Sequence, residues 1–189
     1  MIKIGILGEI GSGKTYISKM FGYPVFNADE EVSRIYSKNK KIFNKLKKNL
    51  PKHIISYPVS KNEVINAILD SKQNLKKIVK IIHPEVKKKM NFFLKKNRDE
   101  KIVILDIPLL LENKINKKED ILIFVESKKS EILKRLKKRS NFNQELLKRF
   151  KTIQLKLYYK KKKSNFIIKN NFTNKSVKRS IRNILKKIL

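Results

Sequence analysis

The sequence predicts an α/β fold in three layers: a parallel five-stranded sheet between helices, an inserted helical substrate lobe and a basic lid. Three observations predict it. Short runs rich in Ile, Val and Leu alternate with segments of helical period. The first run leads directly into GEIGSGKT, a G-x-x-x-x-G-K-T loop. Between about residues 40 and 97 the pattern is helical only, as an insertion between strands would be.

Ile2 to Leu7 is short, apolar and β-branched, and predicts a buried first strand. A helix follows from Thr15 to Phe21. PVF (24–26) predicts the second strand and leads into NADEEVSRIY, where Val32, Ile35 and Tyr36 share a helical face. In the insertion, Ile42, Phe43, Leu46 and Leu50 form one stripe, Val64, Ile65, Ile68 and Leu69 a second, and Leu75, Ile78, Val79 and Ile82 a third. Pro84 predicts a kink or a new helix there. IVILDIP (102–108) and ILIFVES (121–127) restore strand character, and Ser127 is a candidate N-cap for EILKRLKKR. One helix is expected from about Asn143 to Lys161, then the strand NFIIK (165–169). A last helix, capped by Asn174, carries Val177, Ile181, Ile184, Leu185 and Ile188. A single domain over 1–189 results, with the insertion at about 40–97 and the lid at about 139–150.

Composition narrows the chemistry. The absence of cysteine excludes disulfides, zinc-thiolate sites and thiol nucleophiles. No run is apolar for long enough to cross a bilayer, and the N-terminal run is too short for a secretion signal, so a cytoplasmic protein is expected. Lys and Arg number 48 against 16 Asp and Glu, a formal charge of +32. Such a field attracts polyanions. The lysines, however, are interleaved with Ile and Asn along the chain, as compositional drift would leave them. Nucleic acid is therefore not the expected partner.

The loop carries the first chemical assignment. Gly8, Gly11 and Gly13 let the backbone turn its N–H groups inward, and Lys14 would reach the outer phosphates. The Thr15 hydroxyl would hold Mg²⁺. Such loops serve motors, GTPases and small-molecule kinases alike. Four further features choose among these. Asp29 follows the second strand, on the edge that faces a ligand crevice in open α/β sheets; it could take a substrate proton or cap the next helix, and the two roles are compatible. Asp106, at the end of IVILD, stands where a carboxylate could bind metal, while Leu109 to Leu111 read first as core. His83 precedes Pro84 at the expected helix break, and reads first as a cap. Arg135 and Arg139 lie one turn apart, with Arg149 in the next helix, and a guanidinium over phosphates would stabilise a transferring phosphoryl group. The order is that of a P-loop small-molecule kinase.

In order along nearly the whole chain, GILGEIGSGKT, FNADEEV, IIHPEV, DIPLLLE, RLKKRSNF, RFKTIQ and SNFIIKN resemble the motifs of the dephospho-coenzyme A kinase family. The resemblance implies transfer of the ATP γ-phosphate to the ribose 3′-hydroxyl of dephospho-coenzyme A, with Mg²⁺ as cofactor. It makes Gly8, Glu9, Ile10, Gly11, Ser12, Gly13, Lys14, Thr15, Tyr16 and Arg139 ATP contacts, and Asp29 the general base beside Lys14 and Arg139. Asp29, His83, Leu109, Glu112 and Arg149 would surround the acceptor. A monomer or weak homo-oligomer is expected. Four residues depart from the family pattern: Glu9 for Gly, Asn27 for the first Asp of D-A-D, Lys61 for Arg and Asn165 for Asp. These departures bear on rate and metal affinity more than on reaction type. A sibling kinase, an inactive homologue and a nucleic-acid-binding module are the alternatives, in that order.

Overall fold

A computed structural model describes residues 1–139 and 142–189; Ser140 and Asn141, inside the expected lid, lie outside the described residues. The chain divides into two compact units, Met1–Asn27 with Asn97–Phe142 and Gln154–Leu189, and Ala28–Lys96 with Asn143–Ile153.

The first unit holds the sheet. Its strands are β1 (Ile2–Gly8), β2 (Val25–Asn27), β3 (Ile102–Asp106), β4 (Ile121–Glu126) and β5 (Phe166–Lys169), all parallel, in the order β2-β3-β1-β4-β5. Side chains alternate between faces along a strand. Ile4, Ile6, Ile102, Ile104, Ile123, Val125 and Ile168 share one cluster with Ile17 of α1 (Lys14–Met20), Phe21 at its C-cap, and Val177, Ile181 and Ile184 of α9 (Asn174–Ile188). The opposite parity, Val103, Leu105, Leu122 and Phe124, is buried too. Burial on both faces is why these strands read as unbroken apolar runs rather than alternating ones. The topology also places the site. From β1 the chain passes over β3 to reach β2; from β3 it passes over β1 to reach β4. The connections therefore diverge at the carboxyl ends of β1 and β3, where open α/β sheets hold ligands.

The second unit is helical: α2 (Ala28–Lys38), α3 (Lys40–Asn49), α4 (Lys61–Asp70), α5 (Lys72–Lys96) and α7 (Gln144–Lys151). The predicted stripes close on one another in a core of Ile35, Ile42, Leu46, Val64, Ile68, Leu75, Ile78 and Ile82, with Leu146 and Phe150 packed against it. Asn39 and Ser60 cap α3 and α4 with their side chains. Burial of Tyr36 in this unit pushes its hydroxyl from 10.0 to about 12.

Local expectations differ from the structure at several places. Pro84 does not break its helix: α5 runs through it for 25 residues, so His83 sits mid-helix and not at a break. The lost N–H bond is outweighed by apolar burial on both sides, Leu75, Ile78 and Ile82 before it and Met90 after it. The expected helix over 143–161 is two, α7 and α8 (Leu157–Lys162). Thr152 closes α7, its N–H and hydroxyl both turned onto the Arg149 carbonyl, and the Leu155 N–H leaves the helix for the Glu112 carboxylate. Helix α6 (Lys129–Lys137) takes Lys128, not Ser127, as N-cap, and α9 takes Thr173, not Asn174.

Candidate active site

In the first unit the loop after β1 is built around positive φ angles, 148° at Gly8, 86° at Gly11 and 91° at Gly13, which side chains disfavour. At Gly13 a Cβ would also lie 2.5 Å from the Asn170 amide nitrogen, so glycine is required there twice over. The loop is tied to the sheet through one carbonyl: Ser12 O accepts from Asn170 Nδ2 at 2.8 Å and from the Ser127 hydroxyl at 3.0 Å. Asn170 is itself buried, and its Oδ1 accepts the Phe172 N–H at 2.9 Å. The Arg135 guanidinium lies 4.3 Å over the Phe172 ring. Lys14 curls back over the loop and donates to the carbonyls of Gly8 at 3.2 Å and Glu9 at 2.9 Å. Its ammonium is thus kept over the nest of backbone amides, where phosphate oxygens would compete for it. Glu9 and Ile10 are half-buried, and the exposed Tyr16 donates its hydroxyl to Asn174 Oδ1.

The Thr15 hydroxyl donates to Asp106 Oδ2 at 2.6 Å, and the Asn27 amide donates to the same oxygen at 3.1 Å. Asp106 is 3% exposed and ends β3, beside the loop that ends β1. A hydroxyl and a carboxylate in contact at a phosphate loop are the donor set by which P-loop proteins hold Mg²⁺. Among the described residues no group of three or more His, Cys, Asp or Glu could hold a metal ion by itself. That suits Mg²⁺, which takes one or two carboxylates and completes its shell with phosphate and water. The residues fit the ion.

Glu112 follows β3 in a turn whose Leu110 is fully buried. Its Oε1 faces the Lys160 ammonium at 2.7 Å and accepts the Leu155 N–H at 2.9 Å. Lys160 is wholly buried. Leu109, half-buried, offers its carbonyl to both nitrogens of Asn113. Arg139 is exposed just past α6, its backbone N–H on Leu136 O.

In the second unit Asp29 lies exposed in the first turn of α2, two residues after Asn27; as the second residue of that helix it is not the N-cap that the sequence also suggested. His83 is half-buried on α5. Arg149 of α7 donates from Nη2 to Leu69 O at 3.3 Å, and its Nε lies 3.5 Å from Glu145 Oε1.

Sequence reasoning assigned no site role to Asn170 or Lys160, and took Ser127 for a cap. An Asn at the end of a strand and a polar residue directly after one are faint signals of loop-holding side chains. Nothing marks Lys160 within YYKKKKS.

A sequence model described as Dephospho-CoA kinase matches residues 2–176. A Dephospho-CoA kinase of Wolbachia pipientis wMel is 30% identical over 187 residues, covering 96% of this chain and 95% of its own. The crystal structure of TT1252 from Thermus thermophilus superposes with a TM-score of 0.80 at 25% identity, covering 100% of this chain and 98% of that one. A dephospho-CoA kinase from Campylobacter jejuni shares the fold, with a TM-score of 0.62 at 20% identity over 98% and 96% of the two chains.

Proposed function

The chain belongs to the dephospho-CoA kinase family, and from that membership we propose that it transfers the γ-phosphate of ATP to the ribose 3′-hydroxyl of dephospho-coenzyme A, the last step in making coenzyme A. The observation that carries the reading is the contact of Thr15 with Asp106 at the mouth of a glycine-built loop, in a chain matched over residues 2–176.

Lys14 exchanges its two loop carbonyls for phosphate oxygens and follows the negative charge as it moves toward ADP. Thr15 and Asp106 would hold Mg²⁺, whose charge would offset the negative charge of the phosphates during transfer. Gly8, Glu9, Ile10, Gly11, Ser12 and Gly13 supply backbone N–H groups, and Tyr16 and Arg139 complete the ATP contacts. Asp29 accepts the proton of the 3′-hydroxyl as the new O–P bond forms and the bond from the γ-phosphorus to the bridging oxygen breaks. His83, Leu109, Glu112 and Arg149 orient the acceptor. Placement and charge stabilisation suffice, because phosphoryl transfer asks little covalent chemistry of the protein. Among the described residues no helix is long and apolar enough to cross a membrane. We propose a cytoplasmic enzyme, acting as a monomer or weak homo-oligomer.

The test is ADP release from Mg-ATP with dephospho-coenzyme A, AMP, adenosine or shikimate as acceptor. Turnover with dephospho-coenzyme A alone is expected. Turnover with another acceptor in its place, or none with any, would overturn the assignment.

A further inference from the structure

We propose that Asn27 is a positioning residue of the metal cradle and sets how strongly the nucleotide's Mg²⁺ is held. The inference rests on the proposed reading of Thr15 and Asp106 as the cradle. Asn27 and Asp106 are paired in register at the ends of neighbouring parallel strands, so their side chains leave the sheet on the same face. Both are buried, at 8% and 3% exposure. A carboxylate only accepts, so the Asn27 atom 3.1 Å from Asp106 Oδ2 is the amide nitrogen, a donor. With the Thr15 hydroxyl at 2.6 Å, it gives one carboxylate oxygen two donors from two different elements. That arrangement holds the plane of the carboxylate from two sides.

An aspartate at the same position would do the opposite. Its oxygen would meet Asp106 Oδ2 at about hydrogen-bond distance, two like charges out of water, and a cation would be needed to hold them together. Asn27 therefore exchanges cation attraction for a cradle that keeps its shape while empty. Metal affinity in carboxylate sites follows the count of ligand charges, and hydrogen-bond partners of a ligand tune it further.

The experiment is calorimetric titration with a non-hydrolysable ATP analogue, with and without Mn²⁺, on wild type, Asn27→Asp, Asn27→Ala and Asp106→Asn. Thermal melts with and without Mn²⁺ accompany it. The quantity read is the metal-dependent gain in analogue affinity. Asn27→Asp should raise that gain about tenfold, and should melt lower than wild type without metal but recover when Mn²⁺ and analogue are added. Asn27→Ala should lower the gain by on the order of tenfold, leaving metal-free binding within about twofold. If both variants keep the wild-type gain while Asp106→Asn loses it, the cradle stands and the role of Asn27 is wrong. If Asp106→Asn also keeps it, the cradle itself is misassigned and the inference falls with it.

Discussion

Replacing Lys160 with Met keeps an unbranched chain in its buried slot and removes the charge opposite Glu112. The two charges are 2.7 Å apart, with side chains 1% and 9% exposed. At an effective dielectric of about 20 their attraction is about 6 kcal/mol. Desolvation of two buried ions takes back several kcal/mol for each, so the intact pair contributes little net. Glu112 Oε2 has no hydrogen-bond partner and Oε1 accepts only the Leu155 N–H, so the Coulomb attraction of Lys160 supplies most of the compensation for the buried carboxylate. Removing one partner should therefore cost about 3–5 kcal/mol, a large share of a typical folding free energy of roughly 5–15 kcal/mol. Urea unfolding followed by far-UV circular dichroism reads this as a fall in midpoint at constant slope. Lys160→Met/Glu112→Gln, which keeps an acceptor for the Leu155 N–H, should return to within about 2 kcal/mol of wild type. A loss below about 1 kcal/mol in the single variant would refute the buried pair. So would a double variant as unstable as the two singles added together, since that leaves no coupling between the residues.

Asp29→Asn should lower turnover by about 10²–10⁴ while ATP-analogue affinity stays within about twofold, because Asp29, the proposed proton acceptor, is not one of the loop residues. Steady-state rates beside calorimetry check this, and turnover near wild type would remove Asp29 from the role of base. Tyr36 gives a pH dependence with a definite sign. Its hydroxyl is raised from 10.0 to about 12 in the fold, so between those values the unfolded chain releases a proton that the folded chain keeps, and stability falls as pH rises. At pH 11 the loss relative to pH 8 should be about 1.4 kcal/mol greater in wild type than in Tyr36→Phe, and equal losses in urea titrations would contradict the burial of that hydroxyl.

What the sequence made legible was local. Strands buried on both faces are short β-branched runs, and a phosphate loop announces itself by glycines at fixed spacing. β1, β3 and β4 were readable for that reason, and the helical stripes by their period; β5, whose Ile167 is exposed, was readable as a β-branched run alone. Interactions across the chain were not. Ser127 reads as a cap because it precedes a helical pattern, yet its hydroxyl serves the Ser12 carbonyl, 115 positions away. Asn170 reaches the same carbonyl over 158 positions. His83-Pro84 reads as a break because proline's penalty is local, whereas the burial that carries α5 through it is tertiary. The residues expected at the site divide between the two units: the loop, Asp106, Leu109, Glu112 and Arg139 fall in the first, and Asp29, His83 and Arg149 in the second.

Lysine is so abundant here that its position carries little information, and the acids carry it in its place. With 48 bases against 16 acids, a carboxylate that is also buried has to be held by specific partners. Three in the first unit are. Asp106 takes the Thr15 hydroxyl and the Asn27 amide. Glu112 takes Lys160 and the Leu155 N–H. Asp120 takes the Lys117 N–H at 2.8 Å and lies 3.6 Å from the Lys3 ammonium. The first ends β3, the second lies in the turn after it, and the third directly precedes β4, so they mark out the connection that leaves the ligand-facing edge. Lys14, Lys160 and Lys3 become distinguishable from the other lysines only through what they face: loop carbonyls and buried carboxylates. In a chain whose composition favours one charge so heavily, the scarce charge is the better guide to where structure and chemistry are concentrated.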